Sequence, residues 1–439
     1  MSASTVTEVE GFSPAAFDRL IESRNEPAWL QELRQSAFDT FQSMSLPSRK
    51  EEEWMRTDIR MFHLDKFAVP EQVKPEVELP LGVLRQGVDV GGSIVSYNGH
   101  TVESNLSEEL RQQGVIFGSI AEVLEQRPEL LEKYLLTKAV DPHFDKFSSL
   151  HAAFFTGGQV LYVPKNTVVK QPLHALSVLG PGGVDLGHTL VIVEEGAEVT
   201  MLNETASLDN KAPGMHCGAI ELIQHPNSHL RYINLQNWGQ GVWHFAHQKA
   251  IVERDSTLYW TIGALGSRLS KVNQHVALVG EGAYCEVNGV MFTEGKQHLS
   301  YHTLQHHEAP SCRSNFLYKT ALQDHSRTVW RGMIKVDNAA QKTDGYQRND
   351  NLILTEHARA DSIPGLEIEA DDVRCTHGAT TGKIDEEQIF YAQTRGFTRK
   401  EAMRAIVIGF FQQVFDRIPL ESVRDALGNA IASRVREYE

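Results

Sequence analysis

The chain has few cysteines, and no two of them lie close together in sequence. Its 439 residues include four, Cys217, Cys285, Cys312 and Cys375, and none belongs to a Cys-x-x-Cys motif. This spacing argues against a disulfide framework and against a zinc or iron–sulfur site held by one local loop. It predicts reduced thiols in a cytoplasmic protein.

Long apolar runs and an excess of basic residues are also missing. The longest apolar stretch near the C-terminus, residues 405–411, is far too short to span a bilayer. The 42 basic residues are outnumbered by 57 acidic ones, which gives a net charge of −15. Nucleic acids and anionic membranes attract the opposite charge, so we expect neither as a partner. Glu8 and Glu10 follow the N-terminus where a secretory signal would be basic and then apolar, so no signal is expected.

Helical patterns occupy both ends of the chain. Ser13-Pro14 is typical of a helix N-cap with a first-turn proline. A second helix is expected over residues 26–44, and Ser48 with Glu51 resembles a capping box that would start a third. These patterns and the irregular stretch after them predict an N-terminal helical region over residues 1–90. A C-terminal helical region is expected over residues 386–439.

The segment between these regions, residues 91–385, has short strand-like runs and a helical excursion near residues 105–150. The second residues of six successive turns are 196, 227, 255, 282, 325 and 357, and an additional strand-like segment over 297–305 fills the long gap. A unit of about 30 residues cannot bury its apolar face alone, whereas stacked units share one core. We therefore predict a mainly β fold with a parallel β-helix core. A large antiparallel sandwich or jelly roll is the alternative.

Two segments imitate ligand sites. Gly378 to Lys383 resembles a phosphate-binding loop, but only three residues separate its glycines and Ile384 follows the lysine, so we expect turns there and no ATP binding. The histidine-rich segment 298–308 could hold a metal through His298, His302 and Glu308. Its spacing fits no zinc motif, which favours hydrogen-bonded histidines along a β-ladder.

Cys375-Thr376-His377 is the segment where we expect the chemistry. In a strand, residues 375 and 377 lie on one face, about 7 Å apart. A thiolate and an imidazole both suit iron or zinc, and such a pair could also activate a nucleophile. No oxyanion hole or orienting carboxylate is evident nearby, and two ligands cannot complete a cluster site. Either a partner chain supplies the rest, or Cys375 is a buried thiol beside a structural His377.

The last long helix carries the apolar run Gly409-Phe410-Phe411. One interpretation is packing against the neighbouring C-terminal helix. The other is a docking face for another protein.

Several segments together resemble the SufB/SufD family of iron–sulfur cluster assembly scaffolds over essentially the whole chain. They are Leu46-Pro47 with Lys50, Glu52, Glu53, Trp54, Thr57 and Asp58; residues 340–344 and 351–354; residues 364–368 and 371–380; and Phe390-Tyr391 with Arg395-Gly396. The SufD branch is the more similar one, because the SufB branch has a Glu where Gly378 stands and lacks the Cys-x-His pair in this form. Met55-Arg56 and Ser300 depart from the family pattern, which leaves their local packing to be explained.

This resemblance implies a right-handed parallel β-helix between two helical regions, and a non-catalytic scaffold subunit. It implies pairing with a SufB-like chain through the β-helix ends and docking of the ATPase SufC on the C-terminal helices, where Gly409, Phe410 and Phe411 are the expected contacts. A transient iron–sulfur cluster shared with the partner chain would contact Cys375 and His377, with His377 as the metal ligand.

The family's complex is also associated with a reduced flavin, and a homodimer is expected for the isolated chain. The alternative function is a β-helix carbohydrate-active enzyme. That function needs a carboxylate or basic cluster on one sheet face and usually an export signal.

Overall fold

The computed structural model describes residues 11–436, so the residues that bear on a secretory signal lie largely outside it. The helices are α1 Pro14–Glu22, α2 Ala28–Ser43, α3 Glu108–Gln112, α4 Ile120–Gln126, α5 Pro128–Tyr134, α6 Lys146–Phe154, α7 Glu386–Thr394, α8 Arg399–Phe415 and α9 Glu421–Arg434. The strands are β1 Gly92–Tyr97, β2 His100–Leu106, β3 Ile116–Ser119, β4 Gly157–Val163, β5 Leu173–Leu179, β6 Val184–Asp185, β7 Gly187–Val193, β8 Glu198–Ser207, β9 Gly214–Gln224, β10 His229–Gln236, β11 Val242–Val252, β12 Thr257–Ala264, β13 Leu269–Leu278, β14 Tyr284–Thr293, β15 His298–His307, β16 Arg313–Leu322, β17 Arg327–Val336, β18 Thr343–Ile353, β19 Arg359–Ile368 and β20 Val373–Lys383.

The core is a parallel β-helix made of two facing sheets. The first has the strand order β2-β1-β5-β8-β10-β12-β14-β16-β18-β20, and the second has the order β19-β17-β15-β13-β11-β9-β7-β4-β3, with β6 beside β9. The chain alternates between the sheets, so each coil of the β-helix contributes one strand to each. Among the described strands, only β1–β2 and β3–β4 pair antiparallel. The predicted parallel β-helix is therefore confirmed, and the antiparallel sandwich is wrong.

A ladder of turns along one corner shows the true period of the repeat. Its members have left-handed φ angles between 56° and 75°, and they are Asn166, Gly196, Asn227, Asp255, Gly282, Ser311 and Lys342. Their amides donate to carbonyls of the next coil, as from Gly196 N to Pro226 O at 3.1 Å and from Asn227 N to Arg254 O at 2.9 Å. These hydrogen bonds join the turn of each coil to the turn of the next coil, just as the strands of successive coils are joined.

The predicted turns at 196, 227, 255 and 282 belong to this ladder, but those at 325 and 357 lie at another corner of the coil. They separate β16 from β17 and β18 from β19. The ladder continues instead through Ser311 and Lys342. Serine and lysine adopt a left-handed φ less readily than Gly, Asn or Asp, so the sequence did not predict turns at these two positions.

The N-terminal region packs against the outer face of the second sheet. The Ser13 side chain caps α1 as predicted, accepting from Ala16 N at 3.2 Å. The prediction of a third helix that starts at Ser48 is wrong, because only a single 3-10 turn forms, at Glu52–Trp54. Buried Trp54 packs against Phe147 and Phe245 at this point, so tertiary packing overrides the local preference for a helix.

Ser300, which departs from the family pattern, has a defined role in this packing. Its Oγ accepts a hydrogen bond from Thr57 Oγ1 at 2.8 Å, and both side chains are buried. The contact holds the N-terminal segment on strand β15, so the departure is accommodated without an unpaired polar group.

The C-terminal helices cover the outer face of the first sheet. Thr398 and Glu401 form the predicted capping box of α8. Buried Val407 and Phe411 of α8 belong to one apolar cluster with Ile233 of β10 and Leu317 of β16. No helix within residues 11–436 has the length and apolarity needed to cross a membrane.

Candidate functional site at the open end of the β-helix

The last coil of the β-helix leaves core-type side chains uncovered. Leu366 and Ile368 of β19 pair in register with Ile334 and Val336 of β17 and therefore share their inward face. Ile334 and Val336 are completely buried, whereas Leu366 is 38% and Ile368 is 40% exposed. The difference arises because β19 and β20 are the terminal strands of their sheets. This end of the core is open.

Cys375 lies on the same inward face, on β20. It pairs in register with Gly345 of β18, and its side chain packs with the small apolar cluster that includes Ile334 and Val336. Burial of this half-covered thiol raises its pKa, because the thiolate would lose hydration. Cys375 is therefore a protonated thiol at neutral pH, and a nearby cation would favour its thiolate.

His377 is two residues further along β20 and pairs in register with Gln347. Its side chain is exposed, unlike that of Gln347, which is completely buried. The Gln347 amide is held by donation to Gly332 O at 3.3 Å and Gly365 O at 2.9 Å. Cys375 and His377 thus share one face of the outermost strand, and His377 is free to reach a partner.

The pair cannot complete a metal site by itself. Within residues 11–436, no three His, Cys, Asp or Glu side chains are grouped so that they could hold a metal ion. One thiol and one imidazole supply two of the four ligands that tetrahedral iron or zinc requires. Any cluster bound here needs ligands from elsewhere.

Comparison with known proteins assigns the chain to a family. Residues 178–410 match the family model described as SUF system FeS cluster assembly, SufBD core domain. Residues 17–175 match the model of the SufBD protein N-terminal region. The chain belongs to the SufBD family.

Two relatives span nearly the whole chain. It is 28% identical to the iron–sulfur cluster assembly protein SufD of Bacillus subtilis (strain 168), over 94% of this chain and 96% of that protein. It is 27% identical to an iron–sulfur cluster assembly SufBD family protein of Staphylococcus aureus (strain MRSA252), over 91% of this chain and 88% of that one. The predicted resemblance is confirmed, and the alternative of a carbohydrate-active enzyme gains no support from these matches.

The segment of this SufBD protein that resembles a phosphate-binding loop, Gly378 to Lys383, is not a loop. Residues 378–383 belong to strand β20, so Gly378 and Gly382 occupy extended positions and not the predicted turns. An extended strand points successive amides to opposite sides and cannot form the concave amide nest that holds a phosphate. Its geometry agrees with the expectation that these residues do not bind ATP.

The histidines of β15 are engaged separately along the strand. His302 Nδ1 contacts Glu53 Oε2 at 2.6 Å, and His306 Nε2 contacts Asp337 Oδ1 at 2.9 Å. His307 points inward, where its Nε2 lies 2.8 Å from Ser314 Oγ. These three histidines are hydrogen-bonded along the β-ladder, as the sequence favoured. His298 is an exception, because its Nε2 is buried without a hydrogen-bond partner among residues 11–436.

The three residues expected to contact an ATPase have different surroundings. Phe411 is completely buried. Phe410 is half-buried, with Lys319 Nζ 4.8 Å from its ring centroid, and Gly409 is exposed. The more exposed aromatic side chains are Phe390 (68%), Tyr391 (61%) and Phe397 (48%), around the turn between α7 and α8. The sequence pattern did not predict that these three side chains form a surface, although Phe390-Tyr391 belongs to the segments that resemble the SufB/SufD family.

Proposed function

We propose that this chain is a non-catalytic scaffold subunit for iron–sulfur cluster assembly that pairs through its open β-helix end with a SufB-type chain. The observation that carries the proposal is the exposure of Leu366 and Ile368, inward-facing side chains that a further coil would bury. A second β-helix stacked on this end supplies that coil. Exposed terminal strands favour such pairing, because they present unpaired backbone groups.

The cluster under assembly is held between the two chains in this proposal. His377 supplies an imidazole ligand and Cys375 a thiolate, and the partner chain completes the set. Binding of iron removes the proton from the Cys375 thiol, so cluster loading releases protons. The raised pKa of this thiol keeps the unloaded end uncharged at this position, which suits an interface that must close over apolar side chains.

The C-terminal helices dock a SufC-type ATPase in the same proposal. Support comes from the exposed aromatic side chains of Phe390, Tyr391 and Phe397, since aromatic residues are enriched in the energetically important centres of interfaces. Gly409, which is exposed, and Phe410, which is half-buried, are further candidate contacts on α8, whereas Phe411 holds α8 in place. The assembled complex is cytoplasmic, and its reduced flavin is assigned to no residue of this chain.

Replacing His377 tests the shared site. Co-expressed with SufB-type and SufC-type partners, His377→Ala should leave the complex intact but abolish formation of the iron–sulfur absorption band during reconstitution. The unfolding free energy should change by less than about 0.5 kcal/mol, because the side chain is exposed.

Thr376→Ala is the matched control, since Thr376 is an exposed neighbour on the opposite face of β20. It should assemble clusters normally. Normal assembly by His377→Ala, or equal loss in both variants, would remove His377 from the ligand set.

A further inference from the structure

The side of the β-helix carries a cleft that is separate from the open end. It lies on the outer face of the second sheet, over strands β11, β13, β15 and β17, and has a volume of about 420 Å³. The segment that contains Glu53 forms one wall, and Val140, Asp141 and Phe144 form the other. Pockets of this size, half enclosed and mostly apolar, are typical of small-molecule sites.

The floor of the cleft is one row of side chains in register across four strands. Lys249 of β11 is next to His275 of β13, followed by Leu304 of β15 and Met333 of β17. The row therefore has a cationic end and an apolar end. Lys249 and Leu304 are two strands apart, a span of about 10 Å.

Most charges around the cleft are already paired. Arg331 contacts Glu52 at 2.8 Å and Glu53 at 2.6 Å, and Lys335 contacts Glu367 at 3.2 Å. Lys249 is a half-buried residue that differs from these, because its ammonium group has no hydrogen-bond or ion-pair partner among residues 11–436.

His275 is the second unsatisfied group on the floor. Its Nε2 atom is buried without a hydrogen-bond partner in the part of the chain that the structure describes. Burial, together with the charge of Lys249, lowers the pKa of His275 to about 3, so the ring is neutral. A neutral imidazole offers one donor and one acceptor. An unpaired cation beside an unpaired imidazole attracts an anionic group.

The other end of the floor suits an apolar body. Leu304 and Met333 form its base. Phe144, which is 58% exposed, lines the cleft nearer the cationic end, on the side of β11. The Phe144 ring meets His247 edge to face, with centroids 5.5 Å apart, which fixes its orientation at the rim. A thioether and an aliphatic side chain on the floor, with an aromatic ring at the rim of the cleft, suit contact with a flat ring.

We propose that this cleft binds a flat aromatic anion of one or two rings. Its carboxylate or other anionic group pairs with Lys249 and accepts a hydrogen bond from His275. Its ring system lies over Leu304 and Met333, and Phe144 stands at the rim near the anionic group. The site contains neither Cys375 nor His377, because none of its lining residues belongs to β20, although Glu367 of the terminal strand β19 lines it.

Calorimetric titration of the full-length chain with 2-naphthoate tests this inference. We expect saturable binding at one site, and at least about tenfold weaker binding of the uncharged analogue 2-naphthamide, which cannot pair with the ammonium group. Inorganic phosphate should not displace 2-naphthoate at equal concentration, because it lacks the ring. Absence of saturable 2-naphthoate binding, equal binding of the amide, or displacement by phosphate would each overturn the proposal.

Two variants locate the binding on the protein. Lys249→Met should weaken 2-naphthoate binding about tenfold without affecting the amide, and Leu304→Trp should abolish binding of both by filling the apolar end. Lys296→Met, which replaces an exposed lysine at the turn before β15, is the control and should bind normally. Circular dichroism verifies the fold of each variant. If folded Lys249→Met and Leu304→Trp both bind as tightly as the unmodified chain, the ligand lies elsewhere and the assignment is wrong.

Discussion

At the scale of single residues, the contacts of Lys271 help to hold the N-terminal segment on the β-helix. Its side chain is only 3% exposed, and Nζ donates to Glu53 O at 3.2 Å and lies 3.9 Å from Glu53 Oε2. Burial lowers the pKa of Lys271 to about 7, although the carboxylates of Glu53 and Asp145 oppose the shift. The Glu53 carboxylate also accepts from His302 and Arg331, and these contacts lower its pKa to about 2. Glu53 is thus the charged anchor of the N-terminal motif.

The titration of Lys271 should make stability depend on pH in the alkaline range. Between about pH 7 and 10.5 the unfolded chain holds a proton on Lys271 that the folded chain has lost. The unfolding free energy should therefore rise with pH in this window, by at most about 1.4 kcal/mol per pH unit from this group. Urea unfolding of Lys271→Met, followed by tryptophan fluorescence, should show that part of the slope missing.

Lys296→Met again serves as the control, because its lysine is exposed, and it should keep the slope of the unmodified chain. Parallel pH profiles for Lys271→Met and the unmodified chain would show that Lys271 does not titrate in this range.

At the scale of elements, the two phenylalanines of the run Gly409-Phe410-Phe411 in the C-terminal helices have different surroundings. Phe411 packs α8 on the β-helix and Phe410 is half-covered by Lys319. The exposed aromatic surface is formed by α7 and the following turn instead, with Phe390 and Phe397. A helix buries whichever side meets the sheet, and spacing alone could not tell which phenylalanine that would be.

Phe390→Ser should weaken docking of the SufC-type ATPase. Loss of an exposed aromatic anchor typically reduces affinity by about tenfold or more and leaves folding unaffected. Binding can be measured by surface plasmon resonance with the purified ATPase. Phe144→Ser, which removes a similarly exposed ring from a distant surface, should bind the ATPase normally. Unchanged affinity of Phe390→Ser would exclude this face from docking.

The whole molecule is a stack whose two ends differ. Its first coil is closed by the antiparallel strands β2 and β3, whereas β19 and β20 end the stack uncovered. A β-helix that ends without a cap exposes both backbone edges and inward-facing side chains, and such ends associate. The isolated chain is therefore expected to pair with a second copy of itself when the SufB-type chain is missing.

Leu366→Asp should shift the isolated chain towards monomer in sedimentation velocity, because it places a charge on the uncovered core surface. The same change should weaken pairing with the SufB-type chain. Glu367→Gln, whose side chain points to the opposite face of β19, is the control and should associate normally. Self-association that survives Leu366→Asp would show that the copies meet through another surface.

Local sequence features predicted the architecture of this protein well. Ser13 and Thr398 cap their helices, and Gly196 and Asn227 form their turns, through interactions within a few residues. A local pattern therefore suffices to predict them. The prediction failed where distant contacts decide the conformation. The 3-10 turn at Glu52–Trp54 and the ladder turns at Ser311 and Lys342 follow from packing and stacking.

The sequence by itself determined the repeat, the family and the pairing of Cys375 with His377 on one strand face, since all three depend on residue type and spacing. Only the tertiary structure decided that this strand is the last one. A side chain is exposed at the open end because no further coil covers it, and no local pattern records the absence of a neighbour. The lateral cleft has the same origin: Lys249, His275 and Leu304 lie 55 residues apart along the chain at their extremes and become adjacent only through the register of stacked strands.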